Sequence, residues 1–401
     1  MTAIRLDPAD HAWMTHPATR RVMNALENAA PGGARFVGGC VRNALLGAPV
    51  ADIDIATVLE PAAAQAALEA AKIAIHPTGI EHGTLTAVAD HRPFEVTTLR
   101  RDVSTDGRRA TVAFTTDWAE DAARRDFRLN ALYADAAGKI YDPVGGLADI
   151  GTRRIVFIGK AEDRIAEDYL RILRFFRFHA WYGRGEPDPA GLAACASMTD
   201  GLAQLSAERV WMETKKLLAA PDPVRVLELM SETGIAEALY RSEPDTGRLS
   251  RLIALGGDDS LLRFAATFGE QAVRLIRDMK MSNAEAFRIR QMADADLAAD
   301  IAADWPLRAE LEKRVYRHGN QVLADLLYLL FSRDRPPPEG WGGAIAHVLS
   351  FKAPGFPVNG ADLKKAGLKP GPEMGETLRR LEEAWIDSRF RLTRADLLDR
   401  L

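Results

Sequence analysis

The chain has 401 residues, 47% of them hydrophobic and 27% charged, with 52 Lys and Arg against 56 Asp and Glu and a net charge of −4. That length is too great for one compact core and implies two to four domains. The charge balance argues against a uniformly basic nucleic-acid binder but leaves room for a local basic face. Two cysteines, Cys40 and Cys195, exclude a disulfide framework and fit a reducing cytoplasm. No apolar run is long enough to span a membrane, and Met1–Asp10 lacks the apolar core of a signal peptide.

In chain order, Pro8–Ala30 reads as a leading helix, with Val22, Met23 and Leu26 at helical spacing. The stretch Arg35–Thr57 follows, and the rest of the chain is organised around it. Arg35–Val37 reads as a strand, Gly38-Gly39 as a turn, and Val41–Leu46 as a short helix closed by Gly47. A glycine turn at a helix N-terminus leaves backbone N–H groups free for a phosphate. Ala51–Ile55 then alternates small or apolar residues with acids, so as a strand it projects Asp52 and Asp54 from one face. Two carboxylates so close call for a cation, and oxygen ligands suit Mg²⁺.

Pro61 opens a helix to Ala71. Lys72–His76, Thr84–Ala89 and Phe94–Leu99 read as strands, the last turning Glu95 away from Phe94 and Val96. Arg100–Ala123 is polar and turn-rich and reads as a loop centred on Thr105–Arg108. Arg124–Leu132 (R-R-D-F-R-L-N-A-L) carries Arg125, whose planar fork of donors matches phosphate oxygens. Tyr141–Gly146 is the turn that ends a small mixed α/β domain.

Asp163–Gly183 (D-R-I-A-E-D-Y-L-R-I-L-R-F-F-R-F-H-A-W-Y-G) reads as one helix. Its arginines at 171, 174 and 177 drift round the surface by roughly 60° per step. Asp168 and Arg171 are then neighbours, and Arg177 lies almost opposite Asp168. Leu205–Leu218 is another helix, whose Glu208, Arg209, Glu213 and Lys216 are expected to hold neighbouring helices together. From Pro223 onward helices succeed one another: Val224–Glu232, Gly247–Leu255, Ser260–Gly269, Gln271–Met279 and Asn283–Ala293. In the last stretch, Gly367 and Gly371 offer backbone N–H groups and Lys364, Lys365 and Lys369 offer charge to RNA phosphate.

Three of these stretches together resemble the class II nucleotidyltransferases of the polymerase-β superfamily, the tRNA CCA-adding enzymes and bacterial poly(A) polymerases. The family patterns G-G-x-V-R-D-x-L-L-G and D-x-D-I-A-T match residues 38–57, with Asn43 where the family usually has Asp. R-R-D-F-T-x-N-A-L matches 124–132, with Arg128 replacing threonine, and E-D-x-x-R matches Glu167–Arg171. The segment S-x-E-R at 206–209 and the tail pattern G-x-D-L-x-x-x-G-x-x-P-G-P at 360–372 match more loosely.

The resemblance implies an α+β catalytic head with a small mixed sheet, followed by an all-α neck, body and tail. The corresponding boundaries are an N-terminal helix 1–30, a head 31–150, a neck 151–220 that recognises the base, a body 221–300 and a tRNA-binding tail 301–401. It implies that Asp52 and Asp54, with Glu95 as third carboxylate, carry catalysis on Mg²⁺. Gly39, Arg42 and Arg125 then bind nucleotide phosphate, with Asp126 and Asn130 in support. Asp168 and Arg171 form a protein template for the base, assisted by Arg174 and Arg177. Cytosine and adenine each pair an exocyclic amine with a ring-nitrogen acceptor, complementary to an Asp–Arg pair. Uracil and guanine would set a carbonyl against Asp168. The 100–123 stretch matches the loop that the family links to the final A.

The expected activity is addition of C, C and A to the tRNA 3′ end from CTP and ATP, in the cytoplasm, with the oligomeric state open. The alternatives are a poly(A) polymerase and a tRNA-binding module with a dead transferase site.

Overall fold

The computed structural model describes residues 4–76, 83–106, 109–294, 308–333, 336–337 and 339–401. They form two compact units, Met1–Arg241 and Ser242–Leu401.

The first unit is built on a seven-stranded mixed sheet. Its strands are β1 (Ala34–Val37), β2 (Asp54–Thr57), β3 (Ala74–His76), β4 (Thr84–Ala89), β5 (Arg92–Thr98), β8 (Tyr133–Ala134) and β9 (Ile140–Tyr141). They are ordered β3-β4-β5-β2-β1-β8-β9. Strands β6 (Arg100–Asp106) and β7 (Arg109–Phe114) form a separate hairpin. β2 and β5 run parallel, with Asp54 opposite Glu95. The period-two alternation of the strands sorts their side chains. Phe36, Ile53, Ile55, Phe94 and Val96 turn to one face and are packed into a core with Val22, Met23, Leu26, Ala64 and Leu68. Those partners come from helices Pro17–Ala29 and Pro61–Ala70. The opposite face carries Val37, Ala56 and Tyr133, and by the same alternation Asp54 and Glu95. Burying Phe36, Ile55 and Phe94, each at most 1% exposed, therefore fixes which way the acids point.

Four sequence expectations are corrected. The leading helix is broken at His16 into Ala12–Thr15 and Pro17–Ala29, where the proline sits at the first helical position and His16 caps it. The second strand begins at Asp54, so Asp52 lies just before it. The ladder extends only as far as Ile53, whose carbonyl accepts from Glu95 N at 3.2 Å. Residues 100–123 are a hairpin followed by helix Trp118–Ala123 rather than a loop. Gly107 and Arg108, at the centre of the expected loop, lie outside the described residues. The expected helix 163–183 is two helices, Ala161–Glu167 and Leu170–Tyr182, separated by Asp168 in extended conformation with φ −158°.

The rest of the first unit is helical. Helices Pro189–Ser197, Ala207–Leu218, Val224–Glu232 and Ile235–Tyr240 follow. Glu213 accepts from Arg177 Nε at 2.5 Å, so it does join its helix to Leu170–Tyr182. In the second unit, helices run from Thr246–Ala254 to Arg394–Leu398, and no strand occurs among its described residues. Leu323, Leu327 and Val348 anchor one core, and Leu363, Leu381 and Trp385 another. The Gly367 N–H donates to Lys364 O at 3.1 Å, so this group is already used within the chain. No helix among the described residues is long and apolar enough to cross a membrane.

Candidate active site

A cleft of about 400 Å³ opens in the first unit. The glycine turn Gly38-Gly39 is part of its lining. Gly38 has φ +68°, a conformation that favours glycine. A Cβ there would stand 3.7 Å from Arg125 Nη1 and 3.8 Å from Asp54 Oδ2. The turn leads into helix Gly39–Leu46, whose N-terminus has no side-chain cap. Its first N–H groups therefore remain available to an anion. Cys40 beneath it is buried, and burial pushes its thiol up to about 12, so it is an inert packing group.

Six arginines line the cleft (Arg42, Arg124, Arg125, Arg171, Arg174 and Arg209) against three aspartates (Asp54, Asp126 and Asp168). Each arginine is held. Arg42, 7% exposed, donates Nη1 to Asn130 Oδ1 at 2.6 Å and Nη2 to Asn43 Oδ1 and Tyr182 Oη, both at 2.8 Å. These partners are neutral, so they orient the guanidinium without cancelling its charge. Asn43 also donates to Pro49 O at 2.7 Å, which an aspartate there could not do.

Arg124 and Arg125 converge on a residue that was not singled out in the sequence, Asp121. Arg124 reaches its Oδ1 at 2.7 Å and Arg125 its Oδ2 at 3.0 Å, and the Tyr133 hydroxyl adds a bond of 2.7 Å. Burial works to raise the Asp121 carboxyl, but Arg125 and Arg124 outweigh it and hold it at about 2. The D-x-x-R-R spacing is the signal that could have found it, since i,i+3 and i,i+4 neighbours share a helix face. Asp126 accepts from Arg174 Nε at 2.8 Å and from Asn130 at 2.9 Å.

Asp168 and Arg171 both line the cleft but do not bond each other through their side chains. Asp168 Oδ2 accepts from Arg209 Nη2 at 2.6 Å, and its Oδ1 from Leu170 N at 3.1 Å. Arg171 is paired with Glu167, and it donates to Arg164 O at 2.8 Å and Arg124 O at 3.2 Å. Arg209 is thus a site residue as well as a helix tie. No local pattern could have shown this, because 41 residues separate it from Asp168.

Arg177, Asp52 and Glu95 are not among the residues that line the cleft. Arg177 is engaged with Glu213 and lies over the Phe178 ring at 4.3 Å. Glu95 stands beside Asp54 across the parallel ladder, next to the cleft rather than in it. Burial first, and Glu95 next, lift the Asp54 carboxyl to about 6. Arg125 opposes the rise and Asp52 adds to it. A carboxyl raised by neighbouring acids fits a cation, and carboxylate oxygens suit a hard divalent ion. Among the described residues no group of three or more acidic, histidine or cysteine side chains could hold a metal alone.

Comparison with known proteins gives matches along most of the chain. A family model described as poly A polymerase head domain matches residues 34–156. A second, described as probable RNA and SrmB-binding site of polymerase A, matches 186–245. The chain is 34% identical over 380 residues to the mouse mitochondrial CCA tRNA nucleotidyltransferase 1, covering 91% of this chain and 85% of that protein.

The chain belongs to the CCA tRNA nucleotidyltransferase family.

A bacterial member, the CCA-adding enzyme of Streptococcus sanguinis strain SK36, is 32% identical over 88% of this chain and 89% of its own. Among solved structures, the Bacillus stearothermophilus CCA-adding enzyme in complex with CTP matches with TM-score 0.74 and 28% identity, covering 93% of both chains. The Thermotoga maritima CCA-adding enzyme complexed with tRNA shares the fold at TM-score 0.63 and 17% identity, over 99% of this chain and 95% of that one. These matches extend well beyond the head into the helical remainder of this family member.

Proposed function

We propose that this protein adds C, C and A to the 3′ end of tRNA, using CTP and ATP without a nucleic-acid template and releasing diphosphate. The observation that carries this reading is one cleft that joins an uncapped helix N-terminus and Asp54 to Asp168 and Arg171. The first pair suits a triphosphate at the reacting end, and the second suits a base edge. Asp52 and Asp54, with Glu95 beside them, would hold divalent metal, most simply Mg²⁺. When bound, such an ion activates the attacking 3′-hydroxyl and steadies the triphosphate.

The chain's own groups do the remainder. The N–H groups after Gly38, with Arg42 and Arg125, hold phosphate oxygens in the line of attack. Asp168 accepts from the exocyclic amine of cytosine or adenine, and Arg171 donates to the ring nitrogen. An ionised carboxylate has lone pairs beyond the two engaged by Arg209 and Leu170. Arg209 and Glu167 hold this template in place, while Arg174, tied to Asp126, and Arg177, tied to Glu213, assist it from the same helix as Arg171. The helical body 221–300 and tail 301–401 bind the tRNA, and the enzyme works in the cytoplasm. The 100–114 hairpin serves the final A step.

Base selection is directly testable. Leaving an acceptor unpaired in a closed site costs roughly 1–3 kcal/mol, or about ten- to hundredfold in discrimination. Asp168→Ala is expected to lower the CTP-over-UTP preference in kcat/KM by that factor. Arg209→Ala keeps the acceptor and loosens it, so its loss is smaller. An unchanged preference in Asp168→Ala would remove Asp168 from base selection. The head-domain model is also described by poly A polymerase, so a generic oligoribonucleotide belongs in the same assay.

A further inference from the structure

Of the arginines that line the cleft, Arg124, Arg125, Arg171, Arg174 and Arg209 each pair with a carboxylate. Arg42 does not: among the described residues its hydrogen bonds all go to neutral groups. A guanidinium has five N–H donors. Here Nε donates to Asn43 Oδ1 at 3.1 Å and Nη1 to Asn130 Oδ1 at 2.6 Å, while Nη2 serves both Asn43 Oδ1 and Tyr182 Oη at 2.8 Å. Asn43 is the next residue in the chain, but Tyr182 is 140 residues away, at the end of helix Leu170–Tyr182. The Tyr182 ring centre also lies 4.2 Å from Arg42 Cζ, and that of Phe178, one turn earlier, 5.1 Å. A cation over an aromatic face is attracted to it, so ring and hydroxyl hold the same guanidinium.

The nitrogen that Tyr182 holds lies at the phosphate cradle. A Cβ on Gly39, the first residue of the uncapped helix, would stand 3.9 Å from Arg42 Nη2. Tyr182 is not among the residues that line the cleft, so its route to a ligand runs through Arg42. The helix that carries it also carries the base template. Arg171, Arg174, Phe178 and Tyr182 stand at i, i+3, i+7 and i+11, within roughly 80° of one another around the axis. Arg171 and Tyr182 are separated by about 16 Å along it. One face of one helix thus meets the base end of the cleft through Arg171 and the phosphate end through Tyr182.

We propose that Tyr182 is a positioning residue for nucleotide binding. Its hydroxyl and ring fix the Arg42 guanidinium for the triphosphate, at a set distance from the base template on the same helix. The proposal rests on the reading of the cleft as a nucleoside triphosphate site, and it gives Tyr182 no contact with the nucleotide.

The test is isothermal titration of the full chain with CTP and with inorganic triphosphate, in Mg²⁺ and without acceptor RNA. Tyr182→Phe keeps the ring and removes the hydroxyl. It is expected to weaken both ligands by the same factor, about tenfold, the scale of one hydrogen bond to a charged group. In an Arg42→Gln background the same change is expected to cost less than about twofold, because residues that act through one another are not additive. In steady-state incorporation Tyr182→Phe is expected to raise KM for CTP and ATP alike, with kcat and the CTP-over-UTP preference unchanged, the mark of lost uniform binding. A thermal melt checks that each variant is folded, and if Arg42→Gln is not, the matched loss of CTP and triphosphate in Tyr182→Phe carries the test. Because binding is measured without RNA, a chain that fails to extend tRNA would overturn the transferase reading while the titrations still decide this one. Unchanged or tighter binding in Tyr182→Phe would overturn the proposal. So would a loss for CTP but not for triphosphate, which would place Tyr182 at the base end, or a full tenfold loss persisting in the Arg42→Gln background.

Discussion

Asp54→Asn is expected to lower nucleotide incorporation by about a thousandfold and to leave the fold in place. The size follows from the several kcal/mol that a bound divalent ion contributes to phosphoryl transfer, at about 1.4 kcal/mol per tenfold. Asparagine keeps the shape of the side chain and removes the anionic ligand. The folded protein does not depend on that charge, because burial and Glu95 already lift the Asp54 carboxyl to about 6. A group whose folded value lies above its unfolded one destabilises the fold as pH rises through that interval. The variant is therefore expected to melt at the same temperature as the wild type at pH 8, or higher. Single-turnover incorporation and a thermal melt on the same preparation check both halves. Activity within tenfold of wild type would separate Asp54 from catalysis, and a collapsed melt would mean that the loss reports folding.

Asp121→Ala has the largest expected effect on stability. The carboxylate is fully buried and ties Arg124, Arg125 and Tyr133 together. Removing one partner of a buried ion pair costs about 3–5 kcal/mol, because the remaining charge is left uncompensated. Urea denaturation at pH 7 measures it. The sign of the pH dependence is fixed by the depressed carboxyl, about 2 when folded against an ordinary value of 3.8. Its contribution is complete above that ordinary value and is lost as pH falls toward 2, so the gap between wild type and variant narrows in acid. Asp121 is a positioning residue, and Asp121→Asn tests that separately. If it acts by aiming Arg125 at phosphate, the amide raises KM for the nucleotide more than it lowers kcat. A variant as stable as the wild type at pH 7 would contradict the hub.

What could be read from the residues alone was whatever is local or periodic. Gly38 and Gly39 and the opposed direction of Glu95 depend on turn chemistry and on the two-residue period of a strand, and the fold keeps both relations, whereas Asp52 lies just before the strand that carries Asp54. The hairpin at 100–114 was hidden because turn-forming residues at its tip dominate the composition, although R-A-T-V-A-F on its second arm alternates as a strand should. The break at Asp168 has no glycine or proline to announce it. It matters because the interruption lets Asp168 turn to Arg209, whereas an uninterrupted helix would set it beside Arg171. Asp121 was within reach of helical spacing and was overlooked. Arg209 was not, since its contact with Asp168 exists only after two helices pack.

The central claim is ordered addition of three nucleotides to tRNA, and incorporation by the pure protein with Mg²⁺ tests it most directly. The acceptors are tRNA lacking CCA, tRNA ending in C, tRNA ending in CC, and a generic oligoribonucleotide, each with CTP and ATP. The account predicts that each tRNA is completed to CCA and then left alone, that the generic RNA is a poor acceptor, and that EDTA abolishes the reaction. Long A tails on the generic RNA, or no metal-dependent incorporation on any acceptor, would contradict it.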